Sequence, residues 1–270
     1  MVLLSSPLRG EGRIGGSISG LALIILFLFY WLRSVSKLKP YFLLLIFSLL
    51  LLLPGIASLP VIDRDEAHFT QATRQMIQNN NYFQIRFQDI TRFQKPPGIN
   101  WLQAASVKVF SHADAKTMWP YRLPSLLGAL FSVLFTYFFA RRFYDPKTAA
   151  MGAGLLACAL LLVAEAHMAV IDSMLLFSVV LMQGALWVIY EKEDSHWGWA
   201  LCFWLALSFG LVLKGVTPLV AVLSIITLCI IDKKVSFLKR LHPIKGFILF
   251  LGLTLTWLWG VNEAEHSNYL

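Results

Sequence analysis

Charge is scarce in this chain. Only 14% of its 270 residues are Asp, Glu, Lys or Arg, while 57% are hydrophobic, and the mean hydropathy is +0.66. That excludes a soluble globular domain, where about 25% of residues are charged. Cysteine is nearly absent too. Cys158, Cys202 and Cys229 each fall inside an apolar run, without metal-ligand spacing or an obvious disulfide pair, so they read as small buried hydrophobes. The net charge of +8 is not gathered in a soluble basic domain that could dock on nucleic acid, so no nucleic-acid partner is expected. No internal repeat is visible. The apolar stretch Leu21–Leu32 offers no small-residue cleavage site, so residues 1–39 are expected to be an N-terminal extension holding a candidate short extra span.

What is present is a series of long apolar runs. They cover roughly Pro40–Ser58, Arg122–Ala140, Thr148–Val163, Ser173–Tyr190, Trp197–Leu213, Thr217–Ile231 and Gly246–Val261. Runs of this length between charged connections predict an all-α, polytopic transmembrane helical bundle. Three connections are basic: Arg33/Lys37/Lys39, Arg141/Arg142/Lys147 and Lys233/Lys234/Lys239/Arg240/Lys245. They share one side of the membrane if the long segment 59–121 lies on the other. The positive-inside rule makes that side cytoplasmic and puts segment 59–121 outside, with the acidic connection Glu191-Lys192-Glu193-Asp194 counting little against it.

Within the outer segment, Ile99–Phe110 is apolar but too short to cross a bilayer, and Leu102, Ala105 and Val109 share a helical face. It reads as an interfacial helix. Phe69, Ala72, Met76 and Ile77 share a face of a second helix after Asp65. An Asn79-Asn80-Asn81 break and a Pro96-Pro97-Gly98 turn separate the two.

Asp65, Glu66, Lys95, His167, Asp172, Lys214 and His266 all fall at span ends on the outer side. An ionisable group at bilayer depth costs about 2.5–3.5 kcal/mol on insertion scales, so several at one face suggest a site. Taken singly, each has a plainer reading: Asp65/Glu66 or Asp172 as helix-start residues, Lys214 as a snorkelling lysine, His167 as structural. Lys95 precedes two prolines that hold the backbone extended, presenting a cation at a fixed place suited to a lipid phosphate. Carboxylates beside such cations suit transfer of a group linked to a lipid phosphate: one carboxylate deprotonates the acceptor while cations hold the departing phosphate.

Five motifs follow in order: Asp63-Arg64-Asp65-Glu66, Phe93-Gln94-Lys95-Pro96-Pro97-Gly98 before Trp101-Leu102, Arg122-Leu123-Pro124-Ser125, Asp172-Ser173-Met174-Leu175 and Leu213-Lys214-Gly215. This resembles the bacterial membrane glycosyltransferases of the ArnT/protein O-mannosyltransferase type, which have the GT-C fold. The resemblance spans about residues 40–262. It implies transfer of a sugar from a polyprenyl-phosphate donor to a glycolipid, polysaccharide or protein acceptor, at the periplasmic face of the inner membrane. It also implies Asp65 as the catalytic carboxylate with Glu66 as its neighbour or substitute, Lys95 and Lys214 on the lipid phosphate, Asp172 positioning the acceptor or an active-site cation, Arg122 near the site or equally stabilising the helix entry, and His167 among the substrate-binding candidates. Many relatives have Glu where this chain has Gln94. A neutral amide is a poor divalent-ion ligand, so no metal or other cofactor is expected. Relatives of this type usually continue through more spans and a soluble domain. Residues 263–270 are therefore expected to be a truncated tail, with a partner as a candidate source of the remainder. The alternatives are a non-catalytic module that binds polyprenyl phosphate and, less favoured, a transporter. A transporter would place its ionisable groups nearer the bilayer midplane.

Overall fold

In a computed structural model, residues 39–87, 90–91, 96–112, 116–192, 196–233 and 235–266 are described. The chain divides into Met1–Pro40 and Tyr41–Leu270, and the architecture below is that of the second unit. The expected extension, residues 1–38, lies outside the described residues, as do Gln94 and Lys95.

The architecture is helical, as the apolar runs predict. The elements are α1 (Lys39–Leu52), α2 (Arg64–Gln78), β1 (Arg86–Phe87), β2 (Ile90–Thr91), α3 (Gly98–Phe110), α4 (Trp119–Ala140), α5 (Pro146–Ala157) and α6 (Leu160–Ala166). They continue with α7 (Asp172–Glu191), α8 (Trp197–Leu213), α9 (Thr217–Ile231), α10 (Phe237–Arg240) and α11 (Pro243–His266). β1 and β2 form a two-residue antiparallel ladder, Arg86 opposite Thr91 and Phe87 opposite Ile90. Among the described residues α4, α7 and the stretch Pro243–Gly260 are each long and apolar enough to cross a membrane. The expected span Thr148–Val163 is instead broken: α5 and α6 meet at 59°. Asp145 caps α5, its carboxylate accepting from the Lys147 and Thr148 amides, and Pro146 takes the first helical position.

Two apolar cores run through the bundle. One joins α1, α4, α5 and α6 through Leu52, Ala129, Val133, Tyr137 and Ala153. The other joins α7, α8, α9 and α10 through Met182, Ile189, Phe203, Ala221 and Phe237. Small residues let helices approach closely. A Cβ on Gly184 would meet the Phe139 ring at 2.3 Å, and one on Gly128 would lie 2.7 Å from the Met174 backbone. Pro124 has no N–H for the Pro120 carbonyl, and the Ser106 hydroxyl of α3 donates to that carbonyl instead, at 2.6 Å.

α2 buries Phe69, Ala72 and Met76, the face its periodicity predicts. α3 is turned differently from a soluble amphipathic helix. Its protein-facing side carries Ile99, Asn100, Gln103, Ala104 and Val107, while Val109 is 73% and Phe110 55% exposed. Buried Asn100 and Gln103 with exposed Val109 and Phe110 suit a helix that rests against lipid. The break after α2 uses Asn80 at φ 50, the left-handed region that Asn tolerates.

Candidate active site at one end of the bundle

Four chain junctions meet at the same end of the helices: α1 to α2, the entry to α4, α6 to α7, and α8 to α9. A third apolar cluster of Phe69, Ile99, Val170, Ile171, Met174 and Leu213 forms the floor beneath them. Above it opens a cavity of about 650 Å³, lined among others by Asp63, Asp65, Glu165, Asp172 and Lys214.

Asp63 is the N-cap of α2, its carboxylate accepting from the Asp65 amide at 2.5 Å. The capping duty open to the acidic pair thus falls to Asp63. Asp65 stands in the first helical turn, half-buried on the cavity wall. Asp172 opens α7, and Lys214 follows the last turn of α8. The Lys214 ammonium donates to Asp172 Oδ1 at 3.1 Å, and the two side chains are 46% and 52% exposed. An ion pair this wet contributes about 0–1 kcal/mol, so either partner can be drawn to another group at little cost. Gly98 sets the floor's depth. A Cβ there would lie 2.5 Å from the Val212 carbonyl oxygen, so glycine lets the start of α3 rest on the backbone that leads to Lys214.

Glu66, Arg122 and His167, expected at the site, lie outside the cavity lining. Glu66 is fully buried, and Arg122 is 1% exposed. Arg122 Nε donates to Glu66 Oε1 at 2.7 Å and Nη2 to Oε2 at 3.2 Å. Nη1 donates to the Ile56 and Leu59 carbonyls at 3.0 and 2.8 Å, and Nη2 also to Pro60 at 3.0 Å. A guanidinium has five N–H groups, and all are spent inside the protein, so Arg122 has none for substrate. Glu66 Oε1 also accepts the Ala169 amide at 3.0 Å. The pair is a clamp that fixes the α1–α2 linker and presents Asp65; it is not reachable from the cavity. His167 is likewise a brace. Its Nδ1 lies 2.7 Å from the Val163 carbonyl and its Nε2 2.8 Å from the Pro54 carbonyl, joining α6 to the turn after α1. Gly55 at φ +92 makes that turn.

Lys95 lies outside the described residues, and the side chain of His266 is not described. Sequence reasoning missed Gln103 and Thr73 of the outer helices, both fully buried and hydrogen-bonded to each other at 2.7 Å. A Gln inside an otherwise apolar run was the available signal.

Residues 94–259 match the family of dolichyl-phosphate-mannose-protein mannosyltransferases. The chain belongs to that family. The mannosyltransferase family match covers the Lys-Pro-Pro-Gly turn and everything through most of α11. Over 248 residues the chain is 26% identical to an undecaprenyl phosphate-alpha-4-amino-4-deoxy-L-arabinose arabinosyl transferase of Pectobacterium carotovorum, covering 88% of this chain and 43% of that protein. A protein of the same description from Pseudomonas fluorescens (strain Pf0-1), distinguished as number 2, is 27% identical over 206 residues, covering 74% and 36%. The fold is that of ArnT from Cupriavidus metallidurans. Its crystal structure bound to undecaprenyl phosphate superposes with a TM-score of 0.76 at 20% identity, over 84% of this chain and 42% of that one. The apo structure gives 0.72 over 90% and 42%. The chain therefore spans about two fifths of the length of these relatives. It is a membrane protein with the helical GT-C architecture that the five motifs imply.

Proposed function

We propose that the chain is a glycosyltransferase that moves a sugar from a polyprenyl-phosphate donor to a glycolipid, polysaccharide or protein acceptor at the periplasmic face of the membrane. The observation that carries this is the single cavity in which Asp65, Asp172 and Lys214 converge from widely separated stretches of chain. Family membership supports the reaction class, and two relatives are described as acting on an undecaprenyl phosphate sugar.

In the proposed reaction the acceptor hydroxyl attacks the sugar carbon that bears the phosphate. Asp65 takes the hydroxyl proton as the new C–O bond forms. The bond from that carbon to the phosphate oxygen breaks, and its electron pair leaves with the polyprenyl phosphate. Lys214, released from Asp172, meets the growing negative charge, with Lys95 as its expected companion from the Lys-Pro-Pro turn. Asp172, freed in turn, holds acceptor hydroxyls. The basic connections Arg141/Arg142/Lys147 and Lys239/Arg240/Lys245 lie at the helix ends opposite the cavity, which supports a periplasmic site by the positive-inside rule. The ionisable groups gather at helix ends and not midway along broken helices, which disfavours a transporter.

The test is transfer of labelled sugar from an undecaprenyl phosphate donor by membranes holding the full chain. Asp65→Asn is expected to lower turnover by about 100-fold or more while leaving insertion and lipid-phosphate binding intact. Undiminished turnover removes Asp65 from its role. Undecaprenyl phosphate binding without transfer by the parent chain favours the non-catalytic lipid-binding module instead.

A further inference from the structure

Asp172 directly follows a short buried stretch that lies outside the helices. Residues 167–171 join α6 to α7 through turn and bend, yet Ala169, Val170 and Ile171 are 0%, 5% and 3% exposed. Buried peptide groups outside a helix need partners from side chains. Three buried side chains, each from a different helix, supply them. Glu66 of α2 accepts the Ala169 N–H at 3.0 Å, and Gln103 Nε2 of α3 donates to the Ala169 carbonyl at 3.1 Å. Ser125 Oγ of α4 accepts the Val170 N–H at 3.3 Å and donates to the Val170 carbonyl at 2.9 Å. Both peptides are thus gripped on both of their polar groups.

The grip is itself anchored. Thr73 Oγ1 donates to Gln103 Oε1 at 2.7 Å and accepts from Asn100 Nδ2 at 2.9 Å, tying α2 to α3 behind Gln103. On the far side, Gly128 brings α4 against the backbone of Ser173 and Met174. The first turn of α7 is therefore fixed before and after Asp172, and the 3.1 Å approach to Lys214 follows from that fixing.

We infer that Gln103 and Ser125 are positioning residues for Asp172: they lock the two peptides that precede it and so set where its carboxylate meets Lys214 and the acceptor. This rests on the transfer reading above. Neither residue lines the cavity, so each acts through the chain it holds.

Gln103→Glu is the sharpest probe. It keeps the oxygen that Thr73 uses and replaces the amide donor facing the Ala169 carbonyl with an oxygen. In the full chain in lipid nanodiscs, supplied with undecaprenyl phosphate-linked 4-amino-4-deoxy-L-arabinose and an acceptor, kcat is expected to fall about tenfold or more with donor KM within about twofold. In an Asp172→Asn background the same substitution is expected to cost nothing further, because its route of action is gone. Losses that simply multiply in the double variant mean a general structural role and overturn the inference. Amide exchange over residues 168–174 gives a readout independent of activity: about tenfold faster exchange in Gln103→Glu is expected, with the interior of α8 unchanged. Unchanged exchange at 168–174 also overturns it. If the parent chain transfers no sugar from any polyprenyl-phosphate donor, the proposed function fails, and the exchange comparison alone decides whether the grip exists. Ser125→Ala, which adds no charge, carries both measurements should Gln103→Glu fail to insert.

Discussion

Replacing Arg122 by Met separates a clamp from a ligand. The substitution keeps most of the side-chain volume and removes all five donors. Glu66 would be left fully buried with the Ala169 amide as the remaining donor described for it. Breaking a buried ion pair from one side costs about 3–5 kcal/mol, because the surviving charge is uncompensated. Three carbonyls lose their partner as well. Those of Leu59 and Pro60 belong to exposed residues that water can reach, while Ile56 is 8% exposed and adds about 1–3 kcal/mol. The expected loss is about 4–8 kcal/mol, comparable with the whole stability of many domains. Arg122→Lys keeps the charge but not the planar fork, and should lose about half as much. Paired replacement, Glu66→Leu with Arg122→Met, removes the charge from both sides and is expected to recover most of the loss. Denaturant unfolding in detergent micelles measures all four proteins. A parental unfolding midpoint for Arg122→Met, coupled with weakened undecaprenyl phosphate binding, refutes the clamp and makes Arg122 a substrate residue.

Other outcomes follow from the same geometry. Lys214→Ala is expected to raise the apparent KM for the polyprenyl donor by about tenfold, measured by steady-state transfer; parental donor affinity removes Lys214 from the phosphate site. Gly98→Ala forces a Cβ to within 2.5 Å of a backbone oxygen and should cost about 1–3 kcal/mol in unfolding. Gly152→Ala meets nothing within 4 Å and, in the interior of α5, should be neutral or stabilise by about 0.5–1 kcal/mol; equal effects of the two would defeat the close-contact argument. A cysteine introduced at Asp63 should label with an impermeant reagent from the periplasm while one at Arg142 stays protected, and the reverse pattern inverts the topology.

The legible part of the fold was its apolar runs. Each expected span but Thr148–Val163 overlaps a single helix, because hydropathy is a one-dimensional property that a bilayer reads directly. The bend between α5 and α6 was not legible, since a break inside an apolar stretch leaves its composition unchanged. At the site, motif order grouped Asp65, Asp172 and Lys214, which line one cavity, but did not separate them from Glu66, Arg122 and His167. All six are polar residues at span ends. Glu66, Arg122 and His167 are set apart by bonds that hold distant segments together, with partners 56 positions away for Glu66 with Arg122 and 113 for His167 with Pro54.

By itself, then, the amino-acid order determined that this protein belongs in a bilayer, which stretches are apolar, and which chemical groups flank them. Only tertiary structure decided which of those groups face the cavity and which hold it in shape. Burial and hydrogen-bond saturation arise when distant segments pack, and no local pattern of residue types encodes them.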